Sequence, residues 1–205
     1  MLEKFVNFII IGTALLIIFL FMEKNMNDLV YQQSTVDNRK YLVRNLKDKQ
    51  EGANMLAKLR HKMVELKKYL INNPEFNEQP RIKRLAAKFN PENLSESPGN
   101  NSGTSYSINK GEKIVLCLRH KHGEPTLVDE NTLTFVSIHE MAHVMTKSVG
   151  HTDEFWTNFK FLLKEAEKLG LYHHEDYSLN PKKYCGIHVS DTPLTNNSIP
   201  VESHI

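Results

Sequence analysis

The chain has 205 residues and a mass of 23.7 kDa, is 40% apolar and 24% charged, and carries a formal net charge of +2. That balance excludes global disorder and gives enough length for one domain of ordinary size plus an accessory segment. The small net charge hides an uneven distribution: residues 39 to 88 hold fourteen Lys/Arg and five Asp/Glu, net +9, which leaves −7 for the remainder.

In chain order the first feature is FVNFIIIGTALLIIFLFM, Phe5 to Met22, eighteen uncharged residues between Glu3-Lys4 and Glu23-Lys24. This approaches the ~20 residues a helix needs to cross a bilayer. No small-residue cleavage site follows it, so residues 1–24 are expected to be an uncleaved transmembrane anchor rather than a signal peptide. The lysines and arginines from Arg39 onward mildly favour the C-terminal body of such a single-pass protein on the cytoplasmic side of the membrane.

Residues 25–73 read as a basic helical stalk. Leu56, Leu59, Met63, Leu66 and Leu70 recur three and four residues apart, and Leu42 and Leu46 loosely continue the stripe upstream. A break is expected near Gly52, and the NNP of Asn72 to Pro74 ends the helix. The simplest expectation is that the stripe packs on the body. A sharper one is that the basic face over residues 39–88 meets anionic lipid or nucleic acid. No aromatic residues are interleaved for base stacking, so nucleic acid ranks second.

A domain over residues 74–194 follows. NPENLSESPGNNSGTS, Asn90 to Ser105, has the composition of a surface loop. SYSINKGEKIVLCLR then reads as two short strands turning at Asn109 to Gly111. Cys117 lies in the second of these. It and Cys185 are the only cysteines, which excludes a zinc ribbon or a CxxC redox site, and two separate buried thiols are expected.

The next helix, capped by Asn131 or Thr132, carries HEMAHVMTKSVGH, His139 to His151. Leu133, Val136, Met141, Val144 and Met145 fit helical spacing, with no Pro or Gly before Gly150. Residues i and i+4 share one helix face, so His139 and His143 can aim two imidazoles at one point, with Glu140 beside it. A catalytic zinc site needs two such nitrogens, a third protein ligand, and a base near a water-occupied fourth position. A chance HExxH is the competing explanation. Its weakness is the apolar helix around it, where unpaired His and Glu are costly to bury.

For the third ligand a metzincin would need Gly at 146 and His at 149, whereas the chain has Thr146 and Val149. Glu165 and Glu167 on the following helix are candidates. His151 is the better one, because Gly150 permits a sharp return of the chain to the metal. That following helix opens with Thr152 as N-cap and Asp153 and Glu154 in its first turn, and Gly170 closes it. Tyr172, Tyr177, Tyr184, His173 and His174 are candidate oxyanion donors, YCGIHV is a candidate strand, and residues 195–205 are expected to be disordered.

HExxH, a short spacer and then GHTDEF opening an amphipathic helix resemble the SprT-like and WLM-type zinc metallopeptidases over roughly residues 104 to 170. The resemblance implies an α+β fold in which a small zincin-like domain packs a short β-sheet on the HExxH helix. It implies zinc held by His139, His143 and His151, with Glu140 as general base, and a protein or peptide substrate. Two other functions stand beside it: a non-catalytic zincin-fold interaction protein at a membrane, and a basic module for nucleic acid or lipid.

Overall fold

The computed structural model describes residues 10–17, 19, 28–101 and 103–195. The fold is α+β, with a five-stranded sheet in the order β1-β2-β3-β5-β4. Its strands are β1 (Leu29–Gln33), β2 (Lys40–Arg44), β3 (Leu94–Glu96), β4 (Tyr106–Ile108) and β5 (Lys113–Leu116). The outer pairs β1–β2 and β4–β5 are antiparallel hairpins, whereas β2–β3 and β3–β5 are parallel. Among the described residues four helices make up the body with this sheet: α1 (Lys49–Asn72), α2 (Pro80–Lys88), α3 (Glu130–Met145) and α4 (Asp153–Lys168). A separate hairpin, β6 (Lys182–Tyr184) with β7 (Ile187–Val189), follows.

The membrane anchor expected over residues 5–22 is corrected. Among the described residues no helix is long and apolar enough to cross a membrane. Residues 10–17 and 19 are helical, and the rest of that stretch lies outside the described residues. The single-pass localisation and the cytoplasmic placement of the body, which both depended on the anchor, fall with it. The tail expected to be disordered also lies outside the described residues, apart from Thr195.

The helical stalk is corrected too, because its first half is sheet. Val30, Tyr31, Tyr41 and Val43 are β-branched or aromatic residues suited to a pleated surface. In β2 Tyr41 and Val43 are buried while their neighbours are not, the period of two that a strand imposes. The two strands turn through Asn38, whose φ is +59°. Only from Lys49 does the helical spacing take over, and there the expected stripe holds: Leu56, Leu59, Met63, Leu66 and Leu70 are all buried. Gly52 does not break α1. A Cβ at that position would lie 3.2 Å from Arg119 Nη2, so the glycine lets the helix pass close over a buried arginine.

α1 therefore belongs to the core and lies across β1, β2 and β3. β3 falls inside the stretch whose composition reads as a loop, yet all three of its residues are buried. Many cations of the basic span are drawn into ion pairs: Lys58 and Lys62 with Glu130, Arg39 and Arg60 with Glu92, Arg44 with Asp28. α3 is the central helix, buried on nearly all sides along thirteen of its sixteen residues. It packs on α4, α1 and α2 and reaches the sheet through the edge strand β4.

Candidate metal centre

α3 starts three residues before its first buried apolar position, because Asp129 rather than Asn131 or Thr132 is the N-cap. The Asp129 carboxylate accepts from the Thr132 amide at 2.9 Å and from the Thr132 hydroxyl at 2.8 Å. The buried hydroxyls of Ser137 and Thr146 donate to the carbonyls of Leu133 and Ala142, four residues back, so the helix meets its own polar demand. The two histidines and Glu140 remain, and one turn apart His139 and His143 project to one side.

α3 ends at Met145, and Gly150 turns the chain with φ +82°. His151 follows immediately, one residue before Thr152, whose hydroxyl caps α4. The return closes a triangle. His143 Nε2 lies 3.1 Å from His139 Nε2, and His151 Nε2 lies 3.2 Å from each. Three neutral imidazoles cannot satisfy all three edges as hydrogen bonds, since every edge joins two Nε2 atoms, each Nε2 either donates or accepts, and the two roles cannot alternate around a triangle. Three nitrogens at ~2.0–2.1 Å from a common tetrahedral ion would stand about 3.3 Å apart. The spacing therefore fits a shared metal ion better than mutual hydrogen bonding. Among the described residues this is the one group of three His, Cys, Asp or Glu placed to share an ion.

Electrostatics favour the metal-ready state. Burial, then the two neighbouring imidazoles, holds the His139 pKa well below its ordinary value. Burial, His151 and Lys110 bring His143 down to about 4, and partial desolvation against the neighbouring rings lowers the more exposed His151. All three rings are thus neutral near pH 7 with lone pairs to give. Phe155, itself fully buried, stacks its ring centroid 4.8, 4.3 and 4.7 Å from those of His139, His143 and His151. It walls off the cluster from below, and Trp156 adds a contact to His151.

Glu140 is buried, and its Oε2 has no hydrogen-bond partner among the described residues. Burial pushes its pKa up to about 8. The three histidines and Glu140 line one cleft of about 310 Å³, whose other walls are Ser105, Tyr106, Ser107 and Lys110 on the β4 side and Ser148 to Gly150 beyond α3. Ser105 Oγ accepts from the Cys117 amide at 2.9 Å and meets the Tyr184 hydroxyl.

The other sequence candidates lie elsewhere. Glu165 is buried against Tyr69 and Lys168, and Glu167 pairs with His174. Tyr172 and Tyr177 pack on Phe135, and His173 is engaged by Asn131. Tyr184 stands behind Ser105, outside the cleft lining. Ser105 and Lys110 are the cleft residues that spacing alone does not reveal. Cys117 and Cys185 form a disulfide rather than two separate thiols, tying the end of β5 to the β6–β7 turn beside Tyr184.

The chain matches the WLM domain over residues 35–202. It is 35% identical over 196 residues to the uncharacterized protein R325 of Acanthamoeba polyphaga mimivirus, covering 92% of this chain and 98% of that one. The uncharacterized protein 136R of Invertebrate iridescent virus 6 is 43% identical over 82 residues, 40% of this chain and 44% of the viral one. Among solved structures, Wss1 from Saccharomyces cerevisiae superposes with a TM-score of 0.46 at 22% identity, over 63% of this chain and 90% of that one.

Proposed function

The chain belongs to the WLM domain family, and from that membership together with its three converging imidazoles we propose that it is a zinc-dependent peptidase. In this proposal His139, His143 and His151 hold the metal, Glu140 is the general base, and the substrate is a protein or peptide. The observation that carries it is the closure of three neutral Nε2 atoms to within 3.1–3.2 Å of one another.

Zinc, when bound, would supply a charge that acidifies a coordinated water towards pKa ~7 and favours the carboxylate form of Glu140. The remaining work falls to the chain itself. α3 fixes His139 and His143 one turn apart, and the Gly150 turn delivers the third ring. Glu140 lines the cleft with an oxygen that nothing else among the described residues engages, so it can take a proton from the attacking water and hand it to the leaving amine. The buried Phe155 keeps bulk water from the inner side of the imidazoles.

Metal analysis and the Glu140→Gln variant test the proposal together. One zinc per chain is expected in both proteins, with peptide turnover confined to the wild type. A wild-type chain that purifies without metal and does not take up zinc would end the proposal. Zinc-loaded Glu140→Gln that keeps the chain's biological role, while lacking turnover, would favour a non-catalytic interaction protein on the same fold. For the basic span over residues 39–88 we propose a secondary contact with anionic lipid or nucleic acid. Binding that does not weaken as salt rises would exclude it.

A further inference from the structure

Two of the three imidazoles are placed by a buried helix, but the third is not. His151 is exposed, and the segment from Thr146 to Thr152 that carries it has no regular secondary structure. Something outside the segment must hold it still.

The main hold from across the cleft is Lys110. Its Nζ donates to three successive carbonyls just past the end of α3: Thr146 at 3.0 Å, Lys147 at 2.7 Å and Ser148 at 2.6 Å. These carbonyls lie at a helix C-terminus, where acceptors are left over and the dipole attracts a cation. The turn that presents Lys110 is itself rigid. Asn109, Lys110 and Gly111 all adopt left-handed φ, at +49°, +53° and +109°, a conformation that two non-glycine residues keep only where their surroundings impose it. A Cβ on Gly111 would fall 2.8 Å from the Val144 side chain and 2.9 Å from the Lys88 carbonyl, so the turn is seated directly on α3. The opposite side of the segment is held by Glu154. Its carboxylate accepts from the Lys147 amide at 2.9 Å and the Ser148 amide at 3.1 Å.

We propose that Lys110 is a positioning residue for the third ligand: held between the β4–β5 turn and the carbonyls of residues 146 to 148, its ammonium group sets where His151 meets His139 and His143. The inference rests on those three histidines being the metal ligands. It implies that β4 and β5, and not the HExxH helix alone, determine metal affinity.

The test uses the full chain and measures zinc affinity by chelator competition, the visible spectrum of the cobalt-loaded protein, and the thermal midpoint of the metal-free protein. Lys110→Met is expected to weaken zinc binding about tenfold, the lower end for loss of a supporting interaction around a metal site. It should also move the cobalt bands towards those of His151→Ala and leave the metal-free midpoint near that of the wild type. Lys110→Arg, which keeps charge and donors, is expected to recover part of the affinity. Glu154→Ala, at an exposed position, probes the same segment independently and should act in the same direction. Wild-type affinity and spectrum in Lys110→Met would overturn the proposal, whatever Glu154→Ala does. An affinity loss that only parallels a falling metal-free midpoint would overturn it as well, since that is general unfolding. His151→Ala separates the two levels. If it binds zinc like the wild type, the ligand assignment fails and Lys110's role with it. If it loses zinc while Lys110→Met does not, only Lys110's role falls.

Discussion

Arg119 donates from Nε to Glu96 Oε1 at 2.8 Å, and both side chains are all but removed from solvent, at 2% and 1% exposure. Nη1 donates to the Asp48 carboxylate and the Pro125 carbonyl and Nη2 to the Asp48 carbonyl, and the Arg44 amide donates to the other Glu96 oxygen. The pair joins β3 to the end of β5 beneath α1. Removing one partner strands the other charge in the core, which typically costs about 3–5 kcal/mol. Arg119→Met and Glu96→Met are each expected to be destabilising by that amount in urea titration, and the double variant less so than the sum. Single variants with wild-type stability would show that the pair contributes nothing to the fold.

That pair also shows where the sequence is opaque. Glu96 lies among serines, prolines and glycines, so β3 looks like a linker, and only its burial between two parallel neighbours makes it a strand. The β1–β2 hairpin was masked because Leu42 and Leu46 happen to continue the spacing of the true stripe on α1. By contrast HExxH, Gly150 and the Thr152 cap were legible, since each follows from the local geometry of one helix end or one helix face. Ser105 and Lys110 reach the cleft through strand pairing across the β4–β5 turn, which leaves no periodic mark. Cys117 and Cys185, 68 residues apart, carry no spacing signal either.

The disulfide should matter for stability. Closing a loop of 68 residues removes chain entropy from the unfolded state worth about 4 kcal/mol. A paired Cys117→Ser, Cys185→Ser variant is expected to melt about 10 °C lower under non-reducing conditions, using the midpoint shift ordinary for a domain of this size. Because Tyr184 precedes Cys185 and its hydroxyl meets Ser105 in the cleft wall, turnover should fall as well. Equal melting of wild type with and without reductant would refute the contribution.

Phe155 links core packing to the site, since one fully buried ring touches all three imidazoles. Phe155→Ala should leave a cavity costing about 3–5 kcal/mol and weaken zinc binding by freeing the rings to tilt. Phe155→Leu, which refills much of the space, should lose less of both. Urea midpoints and chelator competition on the same samples decide the matter. An unchanged midpoint in the alanine variant would mean the shelf is not needed.

The choice of third ligand can be decided by mutation. His151 stands one residue before the α4 cap, whereas Glu165 lies thirteen residues beyond that cap, ~20 Å along the helix at ~1.5 Å per residue. Glu165 is already committed, accepting from Tyr69 at 3.2 Å and from Lys168 at 2.6 Å, and Glu167 faces His174 at 3.4 Å. His151→Ala is therefore expected to lower zinc affinity by more than the ~10–100-fold that follows loss of a supporting hydrogen bond, and to abolish turnover. Glu165→Ala should instead cost stability, because the Tyr69 hydroxyl and the Lys168 ammonium lose their acceptor and the buried space that Glu165 fills is emptied, with zinc affinity unchanged. Glu167→Ala should alter neither appreciably. Full zinc occupancy in His151→Ala together with loss in Glu165→Ala would move the third ligand onto α4, and the Gly150 turn would then have no part in holding the metal.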